Sequence, residues 1–406
     1  MISRSLYADA WKELADDKAM IFMAGPRQAG KTTLARVLAE GHVNRIYYNW
    51  DIITDRNKII RDPYCFESVT RLDTSAPMVV FDEIHKYKDW KNYLKGVYDG
   101  FHQEYRFLVT GSGRLDTYRK GGDSLAGRYA LFHIWPFTLA ELSDRRVTPD
   151  EFVADPLGIV PDHDGVAEDI WRRLSRFSGF PEPYTREKAA FYRRWSSAYH
   201  SQIIREDIRD LGGIKSIGEM EMLFSLLPGR VGSLLSIQSL SEDLRVAYNT
   251  TRSWLDTLEH FFLAFSILPW ARKIARATHK ARKTYLFDYA VIENKAARFE
   301  NMIALELFRV VQFANDLGAG SFDLRFVRNK EKEEVDFLIT KDHSPFLLVE
   351  AKLSDTEIAP ALKKFQRQLG VPAIQLTDTG EGFRKVGNDG QTIVVAPVYL
   401  WAPRLP

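Results

Sequence analysis

The chain alternates short apolar runs with longer segments in which apolar residues return every three or four positions. In the first third, Met20 to Ala24, Arg45 to Asn49, Met78 to Phe81, Arg106 to Val109 and Ala130 to Ile134 read as strands. Leu34 to Leu38 and Trp90 to Gln103 have helical spacing between them. Such alternation predicts a parallel sheet with helices on both faces. The middle third reads as helices only. Trp171 to Asp210 predicts several, interrupted at Gly179-Phe180-Pro181. Glu219 to Leu227, a segment opened by the S-x-x-E pattern of Ser239 to Glu242, and Asn249 to about Leu263 predict three more. In the last third a helix from near Phe299 to Phe308 precedes two strand-like runs, Glu334 to Ile339 and Phe346 to Lys352. The polar break from Lys341 to Pro345 between them predicts a hairpin.

Chemistry enters at the first strand-to-helix break. Gly25, Pro26, Arg27, Gln28, Ala29, Gly30, Lys31 and Thr32, followed by Thr33, satisfy the pattern G-x-x-x-x-G-K-[ST]. The glycines let the backbone curl so that its N–H groups face a phosphate. Lys31 supplies a point charge to the β- and γ-phosphates, the Thr32 hydroxyl can ligate Mg²⁺, and the following helix presents its positive end. The expected ligands are ATP or ADP with Mg²⁺. The run Met78 to Phe81 ends in Asp82 and Glu83. There Asp82 would hold Mg²⁺ and Glu83 would orient and deprotonate the attacking water. The next strand ends at Thr110-Gly111-Ser112, where either hydroxyl could touch the γ-phosphate or simply form a turn.

Composition adds limits. A chain of 406 residues with a formal net charge of +2 predicts several domains and no global attraction to nucleic acid. The lone Cys65 excludes an internal disulfide, which fits a reducing compartment. The apolar stretch from Phe261 to Leu268 is far shorter than the roughly 20 residues that span a bilayer, and Met1 to Ser5 opens no signal peptide. A cytoplasmic protein without a membrane partner is expected.

The last third holds a second constellation. Glu350 and Lys352, two positions apart on one strand, project to one face, and Asp336 on the preceding strand can reach the same spot. Two carboxylates and an ammonium together can hold a divalent cation beside a phosphate. Glu300 would be an outer acid, although Glu306 is an equally acidic neighbour about 120° away round the helix. A structural ion network is the competing reading.

Gly25-Pro26-Arg27-Gln28, Phe81 to Ile84, Thr110-Gly111-Ser112, Ser124 to Arg128 and Trp135 to Leu142 resemble the signatures of a prokaryotic AAA+ family. Its members join a P-loop ATPase domain (AAA_14-like) to a C-terminal domain of the DUF4143 type. The resemblance runs from about Met20 to Gln375. It implies an α/β fold in four parts: a P-loop AAA+ domain (1–165), a helical lid (166–215), a winged helix-turn-helix (216–275) and a restriction-endonuclease-like α/β domain (276–406). It also implies that Arg128, or else Arg114, meets the γ-phosphate in cis or from a neighbouring subunit. A trans role would make the protein a homo-oligomer.

The C-terminal part resembles the PD-(D/E)xK nuclease fold, whose metal set would here be Glu300, Asp336 and Glu350, with Lys352. DNA is the implied partner, through Thr250, Thr251 and Arg252 on the third helix and Arg245 ahead of it. The basic stripe Arg272, Lys273, Arg276, Lys280, Arg282 and Lys283 would add phosphate contacts, as would Lys363 and Lys364. The expected function is an ATP-hydrolysing protein whose cycle controls DNA engagement or cleavage. The alternative is a nucleotide switch of the STAND type, suggested by the Gly-x-Pro break, with an inactive C-terminal domain that binds DNA or a protein.

Overall fold

The computed structural model describes residues 2–111, 125–163, 165–209, 216–271, 282–354, 357–380, 382–387 and 392–406. It divides into two compact units, Met1–Pro136 and Phe137–Pro406.

The first unit is built on five parallel strands: β1 (Met20–Ala24), β2 (Arg45–Asn49), β3 (Met78–Asp82), β4 (Arg106–Thr110) and β5 (Ala130–His133). Their order across the sheet is β2-β3-β4-β1-β5. Helices α1 (Ser5–Asp17), α2 (Lys31–Glu40), α3 (Ile53–Arg61) and α4 (Trp90–Phe101) accompany it. Every residue of β1 and β3 is buried, which is why these strands read as unbroken apolar runs. The chain passes from β1 out to the β2 edge, returns through β3 to β4 beside β1, and then crosses to β5. The carboxyl end of β1 therefore lies at the point where the strand order reverses, the place where open α/β sheets bind ligands. Register puts Asn49, Asp82 and Thr110 side by side at that end.

The second unit starts with short helices α5 (Leu139–Ser143) and α6 (Pro149–Ala154), then α7 (Val166–Phe177), α8 (Pro181–Arg186) and α9 (Ala189–Gln202). Next come α10 (Ile217–Leu226), α11 (Ile237–Leu244) and α12 (Tyr248–His260). Strands β6 (Ala264–Pro269) and β7 (Lys283–Leu286) pair antiparallel, with an added bridge from Leu234 to Lys283. The helix α13 (Lys295–Asp316) leads into β8 (Phe322–Arg328), β9 (Glu334–Lys341) and β10 (Ser344–Lys352), an antiparallel meander. Then come α14 (Pro360–Leu369), β11 (Ala373–Thr377), β12 (Arg384–Val386), β13 (Ile393–Pro397) and α15 (Val398–Trp401). All eight strands form one sheet, in the order β12-β13-β11-β10-β9-β8-β6-β7. The hairpin turn is tighter than the polar break suggests. Only Asp342 and His343 lie outside the strands, and both have positive φ (49° and 64°), as a two-residue turn of type I′ requires.

The division at 136/137 falls inside the part expected at 1–165. The intervening segment is tied into the second unit. Phe137 donates its N–H to the Gly179 carbonyl (2.6 Å), Leu139 donates to Glu306 (2.6 Å) and Val160 donates to Leu400 (2.8 Å). The parts expected at 166–215, 216–275 and 276–406 belong to that same unit.

Candidate functional site

The loop between β1 and α2 has the backbone that its glycines anticipate. Gly25 has φ 142°, and a Cβ there would stand 2.1 Å from the Ile134 carbonyl oxygen. Gln28 (φ 60°) and Gly30 (φ 97°) complete the curl. Lys31 is 6% exposed. Its ammonium donates to the Gly25 and Pro26 carbonyls at 2.9 and 2.6 Å, inside the curve of its own loop. A triphosphate would offer that ammonium stronger, charged acceptors.

Asp82 is the hub beside the loop and is 1% exposed. Its Oδ2 accepts from Thr32 Oγ1 (3.0 Å), Tyr47 Oη (2.5 Å) and Asn49 Nδ2 (3.1 Å). Its Oδ1 accepts from Thr110 Oγ1. Burial, and then the Asp82 charge, raise the Tyr47 pKa well above the usual phenol value, so Tyr47 acts as a fixed donor. A carboxylate and a threonine hydroxyl in contact, next to a glycine-lined phosphate cradle, fit Mg²⁺ with a nucleotide.

Glu83 comes next, with φ 59°, a left-handed backbone that turns its side chain out of the strand direction. Its carboxylate lies 3.2 Å from Lys86 Nζ and 3.8 Å from His85 Nε2. Lys86 also binds Asp51 at 2.6 Å. Burial would lower the Lys86 pKa, but Glu83 and Asp51 outweigh it and raise it. Glu83 is thus parked on a lysine one turn ahead of it.

Arg128 is not at this site in its own subunit. It precedes β5, which runs parallel to β1, so it lies at the sheet edge opposite the P-loop. The length of the strand, roughly 13 Å for four residues, separates the two edges. Its guanidinium pairs side-on with Asp99 (2.7 and 3.2 Å), and the adjoining Gly127 carbonyl accepts from Lys18, ahead of β1. A cis arginine finger at Arg128 is corrected on this ground. Ser112 and Arg114 lie outside the described residues.

Two contributors carry no sequence signal of their own. Arg4 is 9% exposed and donates to the Ala29 carbonyl within the P-loop (2.5 Å) and to the Trp135 carbonyl after β5 (2.6 Å). Tyr7 accepts the Trp135 N–H at 3.2 Å, and the Arg4 guanidinium stands over its ring. Helix α1 thereby fastens both chain segments that frame the loop. Tyr47 and Asn49, the second contribution, sit on a strand whose pattern shows only that it is a strand.

In the second unit the structure brings Glu300 on α13, Asp336 on β9 and Glu350 on β10 together. The Ala351 N–H donates to Asp336 Oδ2 (3.1 Å) and the Asp336 N–H to Glu350 Oε2 (3.3 Å). Lys352 lies 2.7 Å from Glu350, as their shared strand face anticipates. Glu306 points elsewhere, to Leu139. Burial, then the Asp336 charge, push Glu300 and Glu350 up to about 7.

The centre of this group is taken by a residue not expected there. Lys283, 1% exposed, places its ammonium 2.7 Å from Glu334, 3.1 Å from Asp336 and 3.2 Å from Glu300. Burial opposes its charge, but Asp336, Glu300 and Glu334 raise its pKa above the usual lysine value. No group of three or more His, Cys, Asp or Glu side chains suited to a metal occurs among the described residues. The expected metal set does not fit a metal as it stands.

Other DNA candidates divide. Thr251 is fully buried and Arg282 is 9% exposed, paired with Asp256 and Glu259, so neither offers a phosphate contact. Arg272, Lys273, Arg276 and Lys280 lie outside the described residues. Arg245, Arg252 and Lys363 are exposed, Thr250 is half-buried, and Lys364 pairs with Glu333. No helix among the described residues is long and apolar enough to cross a membrane.

Residues 17–143 match the model of an AAA domain family, AAA_14, and residues 168–300 match a domain of unknown function, DUF8612. The second match replaces the DUF4143 assignment over that part and says nothing of a nuclease. The chain is 22% identical over 372 residues to an uncharacterized protein of Mycobacterium bovis, covering 89% of this chain and 77% of that one. An uncharacterized protein of Mycobacterium tuberculosis matches with the same identity and coverage. Among solved structures, the Walker-type ATPase PABY2304 of Pyrococcus abyssi superposes with a TM-score of 0.45 at 14% identity, over 72% of this chain and 95% of that one. The ORC1 protein of Aeropyrum pernix in complex with DNA gives a TM-score of 0.33 at 15% identity, over 75% and 93%. The N-terminal unit thus carries a P-loop domain similar to the AAA family, and its strands, loop and acidic strand end are those of a nucleotide-binding α/β sheet.

Proposed function

We propose that the protein binds and hydrolyses ATP in its N-terminal unit, and that its nucleotide state controls DNA engagement by the second unit. The observation that carries the reading is the contact of Thr32 with Asp82 beside the curled loop that holds Lys31. Thr32 and Asp82 would hold Mg²⁺, which when bound neutralises charge that develops on the phosphates. Lys31 exchanges its loop carbonyls for the β- and γ-phosphates. Thr110, Asn49 and Tyr47 donate to the Asp82 carboxylate and keep it oriented. Glu83, released from Lys86, positions the attacking water and accepts its proton, a role that contributes about 10²–10⁴ in rate.

DNA engagement is supported by three successive helices, α10 to α12, followed by the antiparallel pair β6–β7. This order matches a winged helix-turn-helix, with exposed Arg245 and Arg252 on or next to its last helix. The buried lysine among the acids favours a second unit that binds rather than cuts, which is the switch-like alternative.

The test is ATP turnover by wild type against Glu83→Gln. Turnover should fall at least a hundredfold while ATP binding persists, and a variant as fast as wild type sinks the assignment of the base. For DNA, fluorescence anisotropy with a labelled duplex should show tighter binding in one nucleotide state and weakening by Arg252→Glu. Binding indifferent to both would refute the control.

A further inference from the structure

The acids of the second unit are arranged as if around a cation, and they already have one. The Lys283 ammonium has three N–H donors, and three carboxylates from two elements lie within reach of it: Glu300 of α13, and Glu334 and Asp336 of β9. Glu334 and Asp336 are two apart on β9 and face the same way. Tyr285 donates to the same Glu300 Oε1 that Lys283 contacts (2.8 Å). Other oxygens of the group are also committed, with Arg328 donating to Glu334 Oε2 (2.7 Å), the Ala351 N–H to Asp336 Oδ2, and Lys352 to Glu350. The ammonium is covered, although the carboxylates round it keep 15–19% of their side-chain surface. Lys283 is 1% exposed, and Gly232, at φ 77°, packs so near Glu300 that a Cβ there would come within 2.8 Å of its Oε2.

A divalent cation bound by Glu300 and Asp336 would have to share both carboxylates with the ammonium that they already hold. Two like charges drawing on the same carboxylates beside a covered lysine repel each other, and the metal would lose much of what those carboxylates return. We propose that Lys283 is the resident cation of this constellation, occupying the place of a catalytic metal, so that the second unit takes up no divalent ion and cleaves no phosphodiester. Lys283 belongs to β7, the partner of β6 after the three helices. The same side chain therefore joins the helical part of the unit to α13 and β9. This inference rests on the reading of the second unit as a binding module and is independent of the ATPase reading.

The experiment uses the full chain without nucleotide, and titrates Mn²⁺ by electron paramagnetic resonance and calorimetry. Wild type should bind no Mn²⁺ attributable to Asp336 or Glu350. Lys283→Met, which removes the charge and keeps the bulk, should gain one Mn²⁺ per chain. That gain should vanish on adding Asp336→Asn and survive Asp82→Asn, which silences the P-loop. If Lys283→Met does not fold, the wild-type titration decides alone. Mn²⁺ uptake by wild type that Asp336→Asn abolishes overturns the proposal, as does a folded Lys283→Met that gains no site. None of these arms depends on ATP turnover, so a failed Glu83→Gln test would leave them intact.

Discussion

Replacing Arg4 with alanine tests whether helix α1 is part of the nucleotide site. Arg4 lies ahead of the segment that matches the AAA family, residues 17–143, yet it holds a carbonyl of the P-loop itself. The change removes bonds to the Ala29 and Trp135 carbonyls (2.5 and 2.6 Å) and a guanidinium stacked 4.7 Å from the centre of the Tyr7 ring. A hydrogen bond from a charged donor contributes about 1.5–3 kcal/mol, and a cation over a ring about 0.5–1 kcal/mol. The losses together come to roughly 3.5–7 kcal/mol, against about 5–15 kcal/mol for a whole domain. Unit 1 should therefore unfold at clearly lower urea. Ala29 immediately precedes Gly30 and Lys31, so the loop also loses its anchor on the side away from the phosphates. If the competent loop falls to a tenth of the population, the Kd for ATP rises tenfold. Equilibrium titration with a fluorescent ATP analogue, beside urea unfolding, reads both effects. Arg4→Lys should fall between, because an ammonium lacks the planar fork that reaches two carbonyls at once. Wild-type affinity together with a wild-type unfolding midpoint in Arg4→Ala would refute the clamp.

Glu306 supplies a pH prediction. Its buried carboxyl is pushed up to about 7, chiefly by burial, partly offset by Arg309 and the Leu139 N–H, and its Oε2 has no hydrogen-bond partner among the described residues. Because the folded value lies above the unfolded one, near 4.5, stability is fully present below pH 4.5 and declines as pH rises towards 7, by roughly 3 kcal/mol. Glu306→Gln keeps an acceptor for Leu139 and cannot ionise. The difference in unfolding free energy between wild type and variant should therefore shift in the variant's favour between pH 4.5 and 7, and a pH-independent difference would refute the buried charge. Arg128→Ala should cost no more stability than the loss of an exposed surface pair, which is small. In dilute protein it should leave ATP turnover unchanged, since Arg128 faces the opposite sheet edge from the P-loop; a large loss at every protein concentration would contradict that placement.

The P-loop and its acidic partner were legible because their signals are local. A strand buried on both faces shows as an unbroken apolar run, and β1 and β3 do so, the first leading straight into the glycine loop. The hairpin and the shared face of Glu350 and Lys352 were legible for the same reason, since the period of two is a property of adjacent residues. The cis option for Arg128 was not decidable from its neighbours in sequence, which say nothing of which end of the sheet it occupies; parallel pairing of β5 with β1 puts it at the end away from the P-loop of its own chain. Arg4 is one basic residue ahead of an ordinary amphipathic helix, and its partners lie 25 and 131 positions away.

Lys283 is the instructive failure, because a local signal did exist. Grouped with Arg282 and the cations before it, it belongs to a basic stripe, and a stripe suggests phosphate. Grouped instead with the three residues after it, it opens Lys283-Thr284-Tyr285-Leu286, a strand with every residue buried. A lysine carried into such a run cannot remain unpaired, since an isolated buried ammonium costs far more than the strand contributes. Its presence there obliges carboxylates to come to it. The acids best able to do so, Glu300, Glu334 and Asp336, include two that the nuclease pattern had assigned to a metal. The ammonium and the metal are rival explanations of the same carboxylates, and burial of the lysine on a fully covered strand is what favours the ammonium.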